Sequence, residues 1–479
     1  MSWIAGTLEL ITNVRYGLTS RGSPLFRFIP YDKRWGPFAV GCSIRELGTN
    51  VHAIIEPQNT QNTQGETGKS MQKGSIVQVL GEPSERTEQS MLLMTYAHDS
   101  KKGLRKILPC ITDTFAVEDR EVVDGYTFHI DPEGCRDVDD AFTFEQMEDG
   151  WRVFIHIADV DSWVRFGSPV DVLAKQRAST FYSLEGKVLS PMFPSSISEE
   201  SASLLPGSRK PAVSLSFTWR PGHPIENVRW VQTLITCTRS FTYEEAMEGV
   251  DTIPCLSALR DLSSELSAEA VEAAEALDSH TWVQSLMILY NTHAGLLLRE
   301  AGQGILRRHS DKKQEHLTVI GESGLSIVSM EAAEYVHACE ENVAHFGLQK
   351  AAYAYASSPI RRYCDLMNQR IIKSTVNKRP LLYIPTHEDI VELNRRQKQG
   401  KAFQRDLFFM KVLSGQKKEV EGIAISENRV WIPSWKRKIT IKAMTLVKGQ
   451  EYTITWYENK NLPRWKDKIV FRATATTAK

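Results

Sequence analysis

Four aspartates, Asp131, Asp137, Asp139 and Asp140, stand within ten residues and run straight into a stretch that alternates like a β-strand. No other feature restricts the fold as much. Carboxylates packed this closely repel and raise one another's pKa, so a fold that gathers them needs a cation among them. Oxygen donors at a strand edge suit a hard ion such as Mg²⁺, which binds through a few carboxylates, water and substrate phosphate. Two such ions could activate water and neutralise the leaving oxygen of a phosphodiester. The same spacing also fits an acidic, glycine-containing surface turn.

The strand that follows reads as half of a hairpin. Phe142 to Phe144, the turn Glu148-Asp149-Gly150 and the alternating run Trp151 to Ile157 predict two antiparallel strands. Val283, Leu286, Met287, Tyr290, Ala294, Leu297 and Leu298 recur at helical spacing, so a long amphipathic helix is expected there. Both ends have β character. Residues 1–57 carry short apolar runs broken by Gly and Pro and read as a small barrel. Residues 58–73 are polar and read as a linker, and 74–120 as a short second β unit, possibly a truncated barrel. Residues 121–415 form a mixed α+β core, and 416–479 return to strands such as Tyr452 to Trp456.

A second motif is Ser357-Ser358-Pro359-Ile360-Arg361-Arg362-Tyr363-Cys364-Asp365. Ser358 reads as an N-cap and Pro359 as the first helical residue, which puts two arginines in the first turn. That end of a helix is already positive, so the cations suit an anion there, and a guanidinium can brace a reacting phosphate. Pairing of Arg361 with Asp365 along the helix is the alternative. Tyr182 and Tyr243 lie in polar settings where a ring can stack on a base or simply belong to the core.

Lys plus Arg and Asp plus Glu both total 58 in 479 residues, yet the charge is unevenly spread. Residues 411–479 hold 15 basic against 6 acidic side chains, and 244–278 hold 1 against 10. Seven cysteines without a CxxC pair suggest reduced thiols, no disulfide-linked partner and an intracellular, cytoplasmic setting. No run approaches the ~18 apolar residues of a membrane span.

Taken in order, these segments resemble the ribonuclease II (RNB) family. The acidic segment, His156 to Val160, Pro191 to Pro194, Leu306-Arg307-Arg308-His309 and Ser358 to Leu366 each look like a family motif. The resemblance implies an RNB-type mixed catalytic domain over 121–415, with a cold-shock-like OB barrel before it and a basic S1-like barrel after it. It also implies Mg²⁺-dependent 3′→5′ hydrolysis of single-stranded RNA to nucleoside 5′-monophosphates, with Mn²⁺ as a substitute ion. Carried over position by position, Asp131, Asp137, Asp139 and Asp140 are metal ligands, Asp139 is indispensable, and Arg361 contacts the scissile phosphate. Tyr182 meets the 3′-terminal nucleotide, and Tyr243 helps define the end of the bound strand. The chain departs from the family pattern at Gln284, Ser285, Tyr355 and Gln404. A catalytically silent RNA-binding protein of the same fold is the alternative.

Overall fold

The computed structural model describes residues 3–43, 48–58, 63–64, 70–97, 120–268, 278–310, 332–381, 383–415, 418–442, 444–459, 462 and 465–475. Its centre is a seven-stranded sheet. The strand order is Arg239–Phe241, Thr127–Ile130, Asp140–Gln146, Trp151–Ala158, Lys210–Trp219, Glu226–Ile235 and Glu121–Val123. Asp140–Gln146 and Trp151–Ala158 form the expected antiparallel hairpin, with Ile157 opposite Asp140. The acidic segment therefore ends on an interior strand.

Trp151–Ala158 alternates in sequence but is buried on both faces, because helices cover the sheet on each side. Val153, Ile155 and Ile157 pack with the helices Pro254–Ala268 and Ser279–Glu300. Phe154 and Ala158 pack with Pro169–Arg177 and Tyr363–Val376. A polar ladder crosses the sheet through this core. Thr127 and Thr143 hydroxyls lie 2.6 Å apart, Thr143 is 2.9 Å from His156 Nε2, and His156 Nδ1 is 2.7 Å from Ser214 Oγ. Ser214 continues to Thr233 at 2.7 Å. Burial drives the His156 pKa down to about 3, so its ring is neutral.

The expected long helix spans Ser279–Glu300. Gly295 lets it lie directly on the backbone of Ala352 and Tyr353, where a Cβ would come within 2.7 Å of the Tyr353 nitrogen. That contact sets the approach to the Ser358 segment.

At the N-terminus, Ile4–Leu8, Leu25–Pro30, Phe38–Gly41 and Val51–Pro57 join Ser70–Gly81 in one sheet. Phe38–Gly41 and Ser70–Gly81 pair in parallel, which closes these five strands into a barrel. The run at 75–80, expected to open a second β unit, is thus the closing strand of the first. It leads into the helix Glu85–Tyr96, and residues 98–119 lie outside the described set. Within the stretch expected to be a linker, Thr63–Gln64 pairs with Ser70 and Met71.

The 28-residue helix His387–Ser414 leads into the C-terminal sheet, ordered Arg437–Thr440, Arg429–Ile432, Glu419–Ser426, Glu451–Glu458 and Ile469–Ala475. The same helix holds the N-terminal barrel. Tyr31 and Tyr96 donate their hydroxyls to Asp406 Oδ2 at 3.1 and 2.6 Å. Lys468 donates to Glu88 across the two ends of the chain at 3.2 Å. No described helix is long and apolar enough to cross a membrane.

Candidate active site

The acidic segment leaves the strand Thr127–Ile130, turns at Gly134 with φ +76° and re-enters the sheet at Asp140. Cys135 N–H to Pro132 O closes the turn at 3.1 Å. Ser203 then fixes the return, accepting from Val138 N–H at 3.0 Å and donating to Arg136 O at 2.7 Å. Only a glycine enters that left-handed turn without strain.

Asp139 is buried, with its side chain 3% exposed. Its Oδ1 accepts from the Ile360 N–H at 2.8 Å, and its Oδ2 from Arg361 Nε at 3.1 Å. Two segments more than 220 residues apart in sequence meet at this carboxylate. Burial pushes the Asp139 carboxyl up to about 7, although Arg361 and the Ile360 N–H pull the other way. Asp140 is also pushed well above the usual carboxylate range, first by burial and then by the charges of Asp131 and Asp139. Asp137 accepts the Tyr182 hydroxyl at 2.6 Å, and Asp131 lies 2.9 Å from His129 Nδ1. All four aspartates therefore share one electrostatic site.

Arg361 does not lie in a helix. The helix begins at Tyr363 with Arg362 as its N-cap residue, so the expected start at Ser358 and Pro359 is corrected. Ser179 bridges Arg362, Thr180 N–H donates to Arg361 O at 3.0 Å, and Tyr363 N–H donates to Ala178 O at 2.9 Å. These contacts hold the arginines in a turn. Arg361 also donates from Nη2 to Ser358 Oγ at 3.0 Å, and its side chain remains 44% exposed. Asp365, the alternative partner for Arg361, pairs instead with Arg362 at 2.8 Å.

Tyr182 is positioned by its bond to Asp137 and by Gln404 Nε2, which donates to its carbonyl at 2.9 Å. Burial first, then the Asp137 charge, raises its phenol pKa. Tyr243 opens the helix Tyr243–Gly249 and stacks on His280, with ring centres 3.5 Å apart at 20°. Its pKa rises through burial and then through Asp131 and Asp140, which brings it into the same field. Of the departures, Ser285 is buried among serines and bonds Ser263 at 3.0 Å, and Tyr355 packs under the guanidinium of Arg362 at 4.1 Å.

The donor set fits a hard divalent cation: all oxygen, one carboxylate buried and one half-buried, both with raised pKa values, and one guanidinium in direct contact. Among the described residues, however, no three His, Cys, Asp or Glu side chains converge as a ready-made ligand group. The physical reason is visible. Asp131, Asp137 and Asp139 are each turned toward a protein partner, respectively His129, Tyr182 and the Ile360 N–H with Arg361. Sequence reasoning missed His129 and the Ile360 N–H. His129 stands two residues before Asp131 on a strand, a spacing that puts both on one face.

The RNB domain family model matches residues 120–254 and 322–378. Over those residues the chain carries an RNB domain. Outside those residues, the RNB likeness extends through relatives and fold. The chain is 26% identical over 390 residues to the probable exosome complex exonuclease RRP44 of Caenorhabditis elegans, covering 63% of this chain and 40% of that protein. It is 25% identical over 405 residues to ribonuclease R of Aquifex aeolicus strain VF5, covering 68% and 57%. The chain thus spans about half the length of these relatives. Among solved structures, Mycoplasma genitalium RNase R in complex with ribose methylated single-stranded RNA superposes with a TM-score of 0.76 at 15% identity, covering 98% of this chain and 90% of that one. Yeast Ssd1, described as a pseudonuclease, superposes with a TM-score of 0.70 at 16% identity, covering 96% and 68%. The RNase R fold, an RNB-type domain with OB-like barrels, is the fold of this chain.

Proposed function

We propose that this chain is a Mg²⁺-dependent hydrolytic exoribonuclease that shortens single-stranded RNA from its 3′ end and releases nucleoside 5′-monophosphates. The observation that carries it is Asp139. A buried carboxylate is held at one edge of the acidic cluster by a half-exposed guanidinium, and that guanidinium is positioned to share a phosphate with the cluster. A pure binder of a polyanion gains nothing from gathered negative charge.

Asp131, Asp137, Asp139 and Asp140 would hold the divalent ions, which supply an activated water and offset charge on the leaving oxygen. The chain's own residues do the rest. Arg361, anchored by Asp139 and Ser358, braces charge that develops on the scissile phosphate. Tyr182 and Tyr243 offer aromatic rings beside the acidic cluster for the terminal bases, each stack contributing about 1 to 3 kcal/mol. The relatives named as exonuclease and ribonuclease R support this reading.

The test is a degradation assay on 5′-labelled single-stranded RNA with Mg²⁺, with EDTA and Asp139→Asn as controls. Release of 5′-monophosphates by wild type alone is expected. Equal survival of the RNA with wild type and Asp139→Asn would defeat the proposal. Internal fragments or DNA cleavage would indicate a different phosphodiesterase.

The second reading is an RNA-binding protein without turnover. It is favoured by the 2.6 Å bond that engages Asp137 with Tyr182 and by the fold likeness to Ssd1. Tight RNA retention in EDTA with no mononucleotide released in Mg²⁺ would establish it.

A further inference from the structure

Beyond the aspartates, a second cluster surrounds Arg307. This arginine lies on the strand Ile305–Arg308, opposite Tyr335 of Glu334–His337, and is 4% exposed. Its guanidinium packs over Tyr335 at 4.7 Å and over Tyr355 at 4.6 Å, and Arg362 packs over the same Tyr355 ring at 4.1 Å. Rings hold a cation in place without neutralising it. The buried Nε and Nη1 atoms of Arg307 have no hydrogen-bond partner.

His309, two residues on, adds a third donor. Its Nδ1 accepts from the Gly347 N–H at 3.0 Å, which assigns the proton to Nε2, and that buried atom is also without a partner. His345 stands 5.1 Å away, and its pKa is driven down to about 4 by burial, then by His309 and Arg307. The carboxylate among these groups is Asp365. Its Oδ1 is engaged by Ser358 N–H and Arg362, and its Oδ2 is buried without a partner. Asp365 is answered by Arg362 and the nearby Asp139 by Arg361, so among the described residues Arg307 is left without a paired carboxylate. Buried donors left unmatched are costly, and a polyanion's phosphate satisfies donors and charge together.

We propose that Arg307 and His309 Nε2 form a phosphate subsite that takes a phosphodiester of the same RNA strand, on the Arg362 side of Arg361. The subsite rests on the RNA-binding part of the function proposed above and is independent of turnover. Arg362 links the two sites, since it neighbours Arg361 in sequence and Tyr355 in space.

The test is binding of a labelled single-stranded RNA to the full chain in EDTA, followed by anisotropy across a range of NaCl concentrations. Each phosphate contact contributes about 0.7 to the slope of log affinity against log salt. Arg307→Met is expected to reduce that slope by about 0.7 and to weaken binding at low salt roughly tenfold. His309→Phe, which removes a neutral donor, is expected to weaken binding at low salt a few fold and to leave the slope unchanged. Unchanged slope and affinity in both variants overturn the subsite and indicate a guanidinium met by water alone. If Arg307→Met does not fold, His309→Phe with unchanged affinity overturns it. Inorganic phosphate, titrated without RNA and followed by histidine ring resonances, separates the sources. A response of His309 to phosphate, with RNA affinity indifferent to both variants, overturns the RNA assignment. Wild type that binds no RNA overturns both proposals, whereas RNA binding with the expected slopes but no hydrolysis overturns only the nuclease.

Discussion

Lowering the pH should unlock the central sheet through one side chain. His156 is fully buried in the polar ladder, and burial lowers its pKa from the ordinary 6.5 to about 3. The unfolded chain binds a proton at this position below about pH 6.5, while the folded chain refuses it until about pH 3. The unfolded state therefore carries more protons between those values, and stability falls as the pH falls. At 1.36 kcal/mol per pH unit, this one ring removes about 3 to 5 kcal/mol between pH 7 and pH 3.5. Above pH 7 its contribution is complete and flat. A multidomain chain does not unfold as one unit, so a single melting curve is a poor reporter. Amide hydrogen exchange of the strand Trp151–Ala158 reports opening of this sheet alone. Wild type should lose opening free energy steeply between pH 6 and pH 4. His156→Gln, which removes the titration, should start less stable and show a flatter profile over that interval. Parallel profiles for the two proteins would refute the argument, because the pH dependence would then come from other groups.

The candidate site gives two more expectations, and the contact between the N-terminal barrel and the helix His387–Ser414 gives a third. Asp139→Asn should lower RNA hydrolysis by at least about 10²-fold, yet leave RNA affinity in EDTA equal or tighter, because it removes a negative charge next to a polyanion. Filter binding beside single-turnover hydrolysis checks both. Arg361→Lys keeps the charge but cannot span Asp139 and Ser358 together, so kcat should fall by about 10²-fold with a smaller change in KM. Asp406→Ala leaves the Tyr31 and Tyr96 hydroxyls without their buried acceptor and should cost about 2 to 4 kcal/mol. Faster limited proteolysis between the N-terminal barrel and the helix His387–Ser414 would report that loss, and an unchanged cleavage rate would refute the clamp.

Periodic signals in the chain were legible, and pairings across distance were not. The hairpin around Glu148-Asp149-Gly150 and the helix Ser279–Glu300 appear as read, since each depends on local alternation or helical spacing. Ser70–Gly81 could not be assigned to the first barrel, because its parallel partner Phe38–Gly41 lies on the far side of a polar stretch. Ser358-Pro359 carries a sound local helix signal that long-range contacts override. Ile360 donates to Asp139, and Ala178 with Ser179 holds residues 359–362 in a turn that ends in a bridge at Arg362. Within the candidate site, the acidic cluster, Arg361 and both tyrosines were legible as residue types. That Tyr182 engages Asp137, or that Arg307 is buried without a matching acceptor, depends on three-dimensional contacts that no spacing encodes.

The distribution of those contacts says how much of the cluster's charge the protein itself offsets. Asp131 leans on a neighbour from its own strand, Asp137 on a phenol, and Asp139 on a backbone N–H and a guanidinium. Neither a phenol nor an amide carries a full charge, so only the Arg361 contact offsets a whole unit among these, with Arg362 at longer range. Four carboxylates against one directly bound guanidinium leave a deficit that a pair of divalent ions would reverse. Because Arg361 and Ile360 arrive from more than 200 residues away, the acidic segment meets its counter-charge only after the helix Tyr363–Val376 docks on the sheet. A fragment ending before residue 358 would keep the full repulsion among its aspartates and lose the guanidinium that meets Asp139. The continuity of the chain from 127 to 365 is therefore part of the site itself.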